Sequence, residues 1–184
     1  MPSKGHADIS AERLDLKWMS PSFIEASLDG RLDEAEAEIG ASLPVWWPDE
    51  DVRRRLVMRL EQMRSQPRSA EWLLRGMVRR ADHKLVGVIN FHGEPDERNR
   101  AELGYTVFVE YRRLGYASEA AIAMMRWARA ERSVETFVVS ISPQNEPSLL
   151  LAAGLGFEQV GSQVDEIDGE EWVFELRPGA LKAR

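Results

Sequence analysis

The segment Tyr111-Arg112-Arg113-Leu114-Gly115-Tyr116-Ala117 sets two cations and a glycine between a run that alternates like a strand and a run with helical spacing. A loop in that position turns successive backbone N–H groups toward one point, and the helix behind it adds about half a positive charge at its N-terminus. Gly115 admits close approach of the backbone, so the segment suits an anion of the pyrophosphate kind. The plainer reading is a solvated strand-to-helix turn. The chain has no cysteine, which excludes a thiol nucleophile, a disulfide scaffold, a zinc ribbon and an iron–sulfur site.

The elements that must hold this loop follow from periodicity. Arg13 to Trp18 alternates polar with apolar and reads as a first strand, ended by Met19-Ser20-Pro21. Residues 22–39 read as helix, with Asp29-Gly30 as a possible interruption. Asp49 caps a helix over Arg53 to Met63, where Val52, Leu56, Leu60 and Met63 recur at spacings of three and four. Glu71 to Val78 and Leu85 to His92 read as a hairpin. Ala101 to Val109 forms a third strand, with Glu102, Gly104, Thr106 and Phe108 on one face and Leu103, Tyr105, Val107 and Val109 on the other. A helix from about Ser118 to Ala130 sets Ala121, Met124, Met125 and Ala128 opposite Glu119 and Arg126. Thr136 to Ile141 is a buried β-branched strand. Asn145-Glu146-Pro147-Ser148 opens a short helix that Gly154 closes. Phe157 to Val160 and Glu171 to Leu176 end the chain as strands around an Asp168-Gly169 turn. The expected class is α+β, a mixed and mostly antiparallel sheet of six to seven strands with about four helices. One domain is expected over residues 1–184, with its core at about 9–176.

Of the 184 residues, 43% are hydrophobic and 30% charged, so there is a core to bury. With 31 acids against 24 bases the formal charge is −7, which argues against a nucleic-acid partner. No apolar run reaches the roughly 18 residues of a membrane span, and the N-terminus lacks the apolar heart of a signal peptide. The expectation is a cytoplasmic protein with no membrane partner, a monomer or homodimer.

Taken in order, these segments resemble the GNAT superfamily of acyl-CoA-dependent N-acetyltransferases. The strand followed by Arg-x-x-Gly-x-Ala at a helix start, here Arg112, Gly115 and Ala117, is similar to the family's hallmark. NEPSLLLAAGLGF, with Asn145, Ser148, Gly156 and Phe157, is similar to its Asn-x-x-Ser/Ala helix leading to Gly-Phe and a strand. ISAERLDLKWM resembles the first strand of the branch of ribosomal-protein N-terminal alanine acetyltransferases. The resemblance implies acetyl-CoA as co-substrate, no metal, and a primary amine as acceptor: a protein or peptide N-terminus, or alternatively a small molecule. It assigns pyrophosphate binding to Arg113, Leu114, Gly115, Tyr116, Ala117 and Ser118 beside Arg112, and the pantetheine to the strand carrying Val107, Phe108 and Val109. Asn145 and Ser148 fall near the thioester, with Ser148 also a catalytic candidate. Glu102 takes the place of the family's proton-accepting Glu, a role that partial burial would favour by raising its pKa.

Where many members carry a Tyr that protonates the departing thiolate, this chain has Ala152. That leaves the acid unassigned between Tyr105 and Tyr116, and keeps open a catalytically silent acyl-CoA-binding module. His92 reads as structural or exposed, Trp46 and Trp47 as packing or as acceptor-pocket walls, and Arg53-Arg54-Arg55 as the wet face of a helix. The acid-rich final hairpin is expected to border the acceptor side.

Overall fold

Eight strands form one continuous sheet in the computed structural model, which describes residues 6–165 and 169–180. In chain order they are β1 (Ile9–Ser10), β2 (Leu14–Trp18), β3 (Arg75–Arg79), β4 (Lys84–Phe91), β5 (Arg100–Val107), β6 (Thr136–Ile141), β7 (Glu158–Asp165) and β8 (Gly169–Leu176). The helices are α1 (Pro21–Leu28), α2 (Leu32–Ile39), α3 (Glu50–Ser65), α4 (Tyr116–Arg132) and α5 (Glu146–Leu155). Across the sheet the order is β1-β2-β3-β4-β5-β6-β8-β7, antiparallel everywhere except between β5 and β6.

The expected α+β class is the one found, with one more strand and one more helix than expected. The extra strand is β1, whose two residues are too few for an alternation to register. The extra helix arises because residues 22–39 do break at Asp29-Gly30. Ser20 starts α1, its Oγ accepting the Phe23 N–H at 3.0 Å ahead of Pro21, and the Asp49 carboxylate starts α3 by accepting the Val52 N–H at 2.8 Å.

Several boundaries moved for physical reasons. Residues 71–74 are not strand: a short 3-10 turn covers Pro67–Glu71, and Trp72, Leu73 and Leu74 are buried as packing, a continuous apolar run being compatible with either state. β5 stops at Val107 because Phe108 is drawn into the core against Trp46 and Trp47, and Val109 begins a 3-10 turn. α5 runs past Gly154 and ends at Gly156, which adopts φ 97°. β7 extends to Asp165; Asp168 lies outside the described residues.

The sheet has apolar layers on both faces. α4 packs on one through Ala120, Ala121, Met124, Met125 and Ala128, against Phe91, Leu103, Phe137 and Val139. α1, α2 and α3 pack on the other through Phe23, Ile24, Ile39, Leu56, Leu60 and Met63. β3 and β4 are therefore buried on both sides; β4 reads as a nearly continuous apolar run, while β3 buries Arg75 along with Met77 and Val78.

Contact between β4 and β5 is tightest at Gly87, where an added β-carbon would come within 2.5 Å of the Thr106 carbonyl oxygen. Backbone on an inner strand has no room to yield, so Gly87→Ala should cost about 1–3 kcal/mol in urea unfolding. An unchanged midpoint would show that β5 can shift.

Candidate active site

β5 pairs with β6 only from Arg100 to Glu102, opposite Thr136 to Val138. Beyond that the two strands part, while β5 stays bonded to β4 as far as Val107. The His92 N–H donates to the Glu102 carbonyl at 2.9 Å and the Phe108 N–H to the Val86 carbonyl at 3.0 Å, so the even-numbered residues of β5 turn their main chain toward β4. Alternation along an antiparallel ladder then turns the main-chain groups of Tyr105 and Val107 toward the opening beside β6. The Val107 carbonyl is capped by Arg112 Nε at 3.0 Å. The Tyr105 groups and the Val107 N–H face the opening with no strand opposite them.

One end of the opening meets the start of α4. Arg113 has φ 61° and Gly115 φ 83°, a left-handed pair with Leu114 between them. Gly115 caps α4 without any side-chain hydrogen bond, and the first helical bond beyond it runs from the Glu119 N–H to the Gly115 carbonyl at 3.1 Å. The amides of Tyr116, Ala117 and Ser118 are thus the unpaired first-turn donors of the helix. Arg112, Arg113, Leu114 and Gly115 are exposed, whereas the Tyr116 side chain is buried. Unpaired first-turn amides beside two exposed arginines are the kind of arrangement that suits an anion.

Arg13, which had looked like the edge of a strand, braces the cradle. Its Nε donates to Glu119 at 2.7 Å, its Nη1 donates to the Leu114 carbonyl at 3.0 Å, and its guanidinium covers the Tyr116 ring at 4.7 Å. Glu119 is therefore held by Arg13 rather than lying on a wet helix face. A depression of about 580 Å³ continues from Gly115 and Ser118 along α4 and does not reach Glu102.

On the sheet face toward α3, β5 presents Glu102, Gly104 and Thr106. Ser140 Oγ donates to Glu102 Oε1 at 2.7 Å, and His92 Nδ1 lies 3.6 Å from Oε2. The imidazole lies over Gly104, where an added β-carbon would approach Nε2 to 2.8 Å. His92, expected as structural or exposed, thus stands directly beside Glu102. Its position at a strand end, one antiparallel partner from Glu102, was the available signal. These residues line an open cleft of about 330 Å³ with Glu94, Asp96 and Arg100.

Facing His92 and the Ser140 hydroxyl hold the Glu102 carboxyl below its ordinary value, against the opposing effect of partial burial. The expected rise is not found, because hydrogen bonding and charge outweigh desolvation. Of the final hairpin, Gln163 and Val173 border this cleft, while Glu175 is paired with Arg100 at 2.6 Å.

On the opposite face Tyr105 is half-buried, with Ser148 of α5 brought near its hydroxyl from beyond β6; burial pushes the phenol above its ordinary value. Asn145 is the N-cap of α5, its Oδ1 accepting the Ser148 N–H at 3.3 Å. Phe108 is the outlier among the pantetheine candidates: its N–H goes to Val86 and its ring is buried under Trp46 and Trp47, so neither faces the opening. Val109 has left the strand and is exposed. Trp47 is core, with its Nε1 donating to Ser27 Oγ at 3.1 Å, and Trp46 is half out, donating to Glu110. Among the described residues no His, Asp or Glu group converges as a metal site, and no helix is long and apolar enough to cross a membrane.

The family model for the Acetyltransferase (GNAT) domain matches residues 21–158. The chain belongs to the GNAT acetyltransferase family. The fold of this GNAT chain is also that of RimL, a ribosomal α-N-protein acetyltransferase solved with coenzyme A, at a TM-score of 0.64 and 16% identity over 95% of this chain and 99% of that one. The microcin self-immunity acetyltransferase MccE, solved with acetyl-CoA and AMP, superposes at a TM-score of 0.63 with 16% identity over 90% and 93% of the two chains. The uncharacterized N-acetyltransferase YjdG of Bacillus subtilis is 30% identical over 86 residues, 47% of this chain and 49% of that protein. The match thus spans about half the length of the curated relative.

The direction of the Glu102 shift is directly measurable. A carboxyl depressed in the folded state contributes stability above its unfolded value and loses it as pH falls through the folded one. Carbon-13 NMR should place the Glu102 midpoint below the ordinary 4.5, with Ser140→Ala moving it upward. A midpoint above 4.5 would mean that burial dominates after all.

Proposed function

We propose that this GNAT protein is an N-acetyltransferase that moves an acetyl group from acetyl-CoA directly to a primary amine, preferably the α-amine of a protein or peptide. The observation that carries this reading is the opening between β5 and β6, with the anion cradle at one end and the His92–Glu102 pair on the other face. Acetyl-CoA, when bound, supplies the activated acyl carbon. The amides at the start of α4, with Arg112 and Arg113 beside them, hold its diphosphate. The free main-chain groups of Tyr105 and Val107 hold the pantetheine as a strand would, and an N–H among them stabilises the oxyanion that develops on the acyl oxygen.

The acceptor enters from the α3 side. His92 is the better matched base, because a histidine ordinarily suits proton transfer near neutral pH and a carboxyl held below its ordinary value does not. Glu102 stays ionised, orients the imidazole through Nδ1 and offsets its charge when Nε2 takes the proton. Across β5 the Tyr105 hydroxyl, coupled to Ser148, keeps its proton at neutral pH and is placed to donate to the departing thiolate. This pair occupies the role that Ala152 leaves vacant, which weakens the case for a silent acyl-CoA-binding module. With no cysteine to carry the acyl group, attack by the amine is direct and ping-pong kinetics are not expected.

An α-amine, with a pKa of about 7.7–8.0, is far more often neutral at pH 7 than a lysine at about 10.4 and needs the weaker base. RimL, which shares the fold, is itself described as an α-N-protein acetyltransferase. A small-molecule amine is the second reading, favoured by a cleft of about 330 Å³.

CoA release over a panel of amines and peptides tests the reaction, and no turnover on any acceptor would favour the module. His92→Ala should lower kcat/KM about a hundredfold at pH 7 and less at pH 9, where more amine is already neutral. Equal losses at both would make His92 a positioning residue. Gly115→Asp brings strain and an anion into the cradle and should weaken acetyl-CoA binding at least about tenfold by calorimetry. Unchanged affinity would put the diphosphate elsewhere.

A further inference from the structure

We infer that the acceptor carries an oxyanion, a carboxylate or a phosphate, which seats against Arg55 and Arg59 of α3 while its amine lies at His92 and Glu102. This rests on the acetyl transfer proposed above and names the acceptor class for the same cleft.

α3 lies along the face of β5 that carries Glu102, Gly104 and Thr106. Gln62 Nε2 donates to the His92 carbonyl at 2.8 Å, and Arg55 Nη1 donates to Thr106 Oγ1 at 3.0 Å. Arg59 stands four residues from Arg55 and three from Gln62, so all three share one side of the helix. Arg55 is exposed, in keeping with the wet run Arg53-Arg54-Arg55, yet its Nη1 reaches back to the sheet at Thr106. Arg59 is half-buried, and its Nη1 donates to Gln62 Oε1 at 2.6 Å.

Neither arginine has an acidic partner among the described residues, although others on the same helix do: Arg54 pairs with Asp51 and Arg64 with Glu25. Burial and the neighbouring Arg55 charge both pull Arg59 below the ordinary guanidinium value. Two like charges held together over a strand, one of them losing its water, are unfavourable until an anion joins them. The planar guanidinium fork matches the oxygens of a carboxylate or phosphate.

At the Glu102 end of this face of β5, in a cleft whose lining includes no α3 residue, charge runs the other way. Glu94, Asp96 and Glu102 line that cleft together with His92, and Arg100 there is already matched by Asp96 and Glu175. A cationic amine is drawn to that end and an anion to the Arg55 end. From Gly104 or Glu102 to Thr106 is two to four strand residues, so amine and oxyanion stand about 7–13 Å apart at about 3.3 Å per residue. A short peptide with a free carboxylate, or an amine with a phosphate on a chain of similar length, has that reach.

The test pairs acceptors with the same amine: glycine, diglycine and triglycine, each against its C-terminal amide, and 6-aminohexyl phosphate against hexylamine. For the best charged member of either series, kcat/KM should exceed that of its neutral partner about ten- to a hundredfold, and Arg55→Gln/Arg59→Gln should cut that ratio to within about threefold. Arg54→Gln removes the same charge from the solvent side of α3 and should keep the preference. The peptide and phosphate series decide which oxyanion is taken.

Equal kcat/KM for charged and neutral members, or a preference untouched by the double variant, would overturn the seat and leave acetyl transfer standing. Calorimetry with N-acetyl-triglycine and its amide reads the seat without turnover. Tighter binding of the acid that depends on the two arginines supports the seat even if no amine is acetylated, and equal binding of acid and amide overturns it.

Discussion

The parting of β5 from β6 is the constraint on which the rest depends. Main-chain N–H and C=O groups inside a sheet need partners, and leaving a few without a strand opposite them is tolerable only where something else occupies the opening. The protein keeps the gap in place from the other side. β5 is bonded to β4 along its length, backbone meets backbone at Gly87, and Phe108 is pinned under the two tryptophans. Arg112 closes the one carbonyl at the strand end, so the motif arginine has a structural task beside its charge.

Two chemistries are separated by the thickness of the strand. The odd side chains of β5 point toward α4 and α5, where Tyr105 meets Ser148. The even ones point toward α3, where Glu102 and Gly104 meet His92. Charge is divided in the same way: a chain with a net charge of −7 keeps Arg112 and Arg113 at the cradle and gathers Glu94, Asp96 and Glu102 around the cleft.

Much of this was legible in the chain. The β-strand at Thr136–Ile141 and the helix starts at Asp49 and Asn145 follow from local rules, since caps and β-branched runs act within a few residues. The glycine turn into α4 was legible for the same reason: Gly115 and the helix behind it are adjacent in sequence. Alternation also put Tyr105 on the opposite face from Glu102.

Pairing across the fold was not legible. That His92 meets Glu102 depends on the β4–β5 register, that Tyr105 meets Ser148 depends on how α5 returns over the gap, and that Arg13 braces Leu114 joins residues far apart in the chain. Arg55 is a solvated helix residue, as its spacing suggests, but spacing could not show that its guanidinium reaches Thr106 across the fold. The sign of the Glu102 shift was beyond reach too, as burial alone would raise it and only the neighbours brought in by β4 and β6 reverse it. By itself the sequence determined most element types, the glycine turn before α4 and the family, all of which rest on near neighbours in the chain. The tertiary structure decided which groups face each other across β5, because strand register and helix placement are set by packing among distant segments.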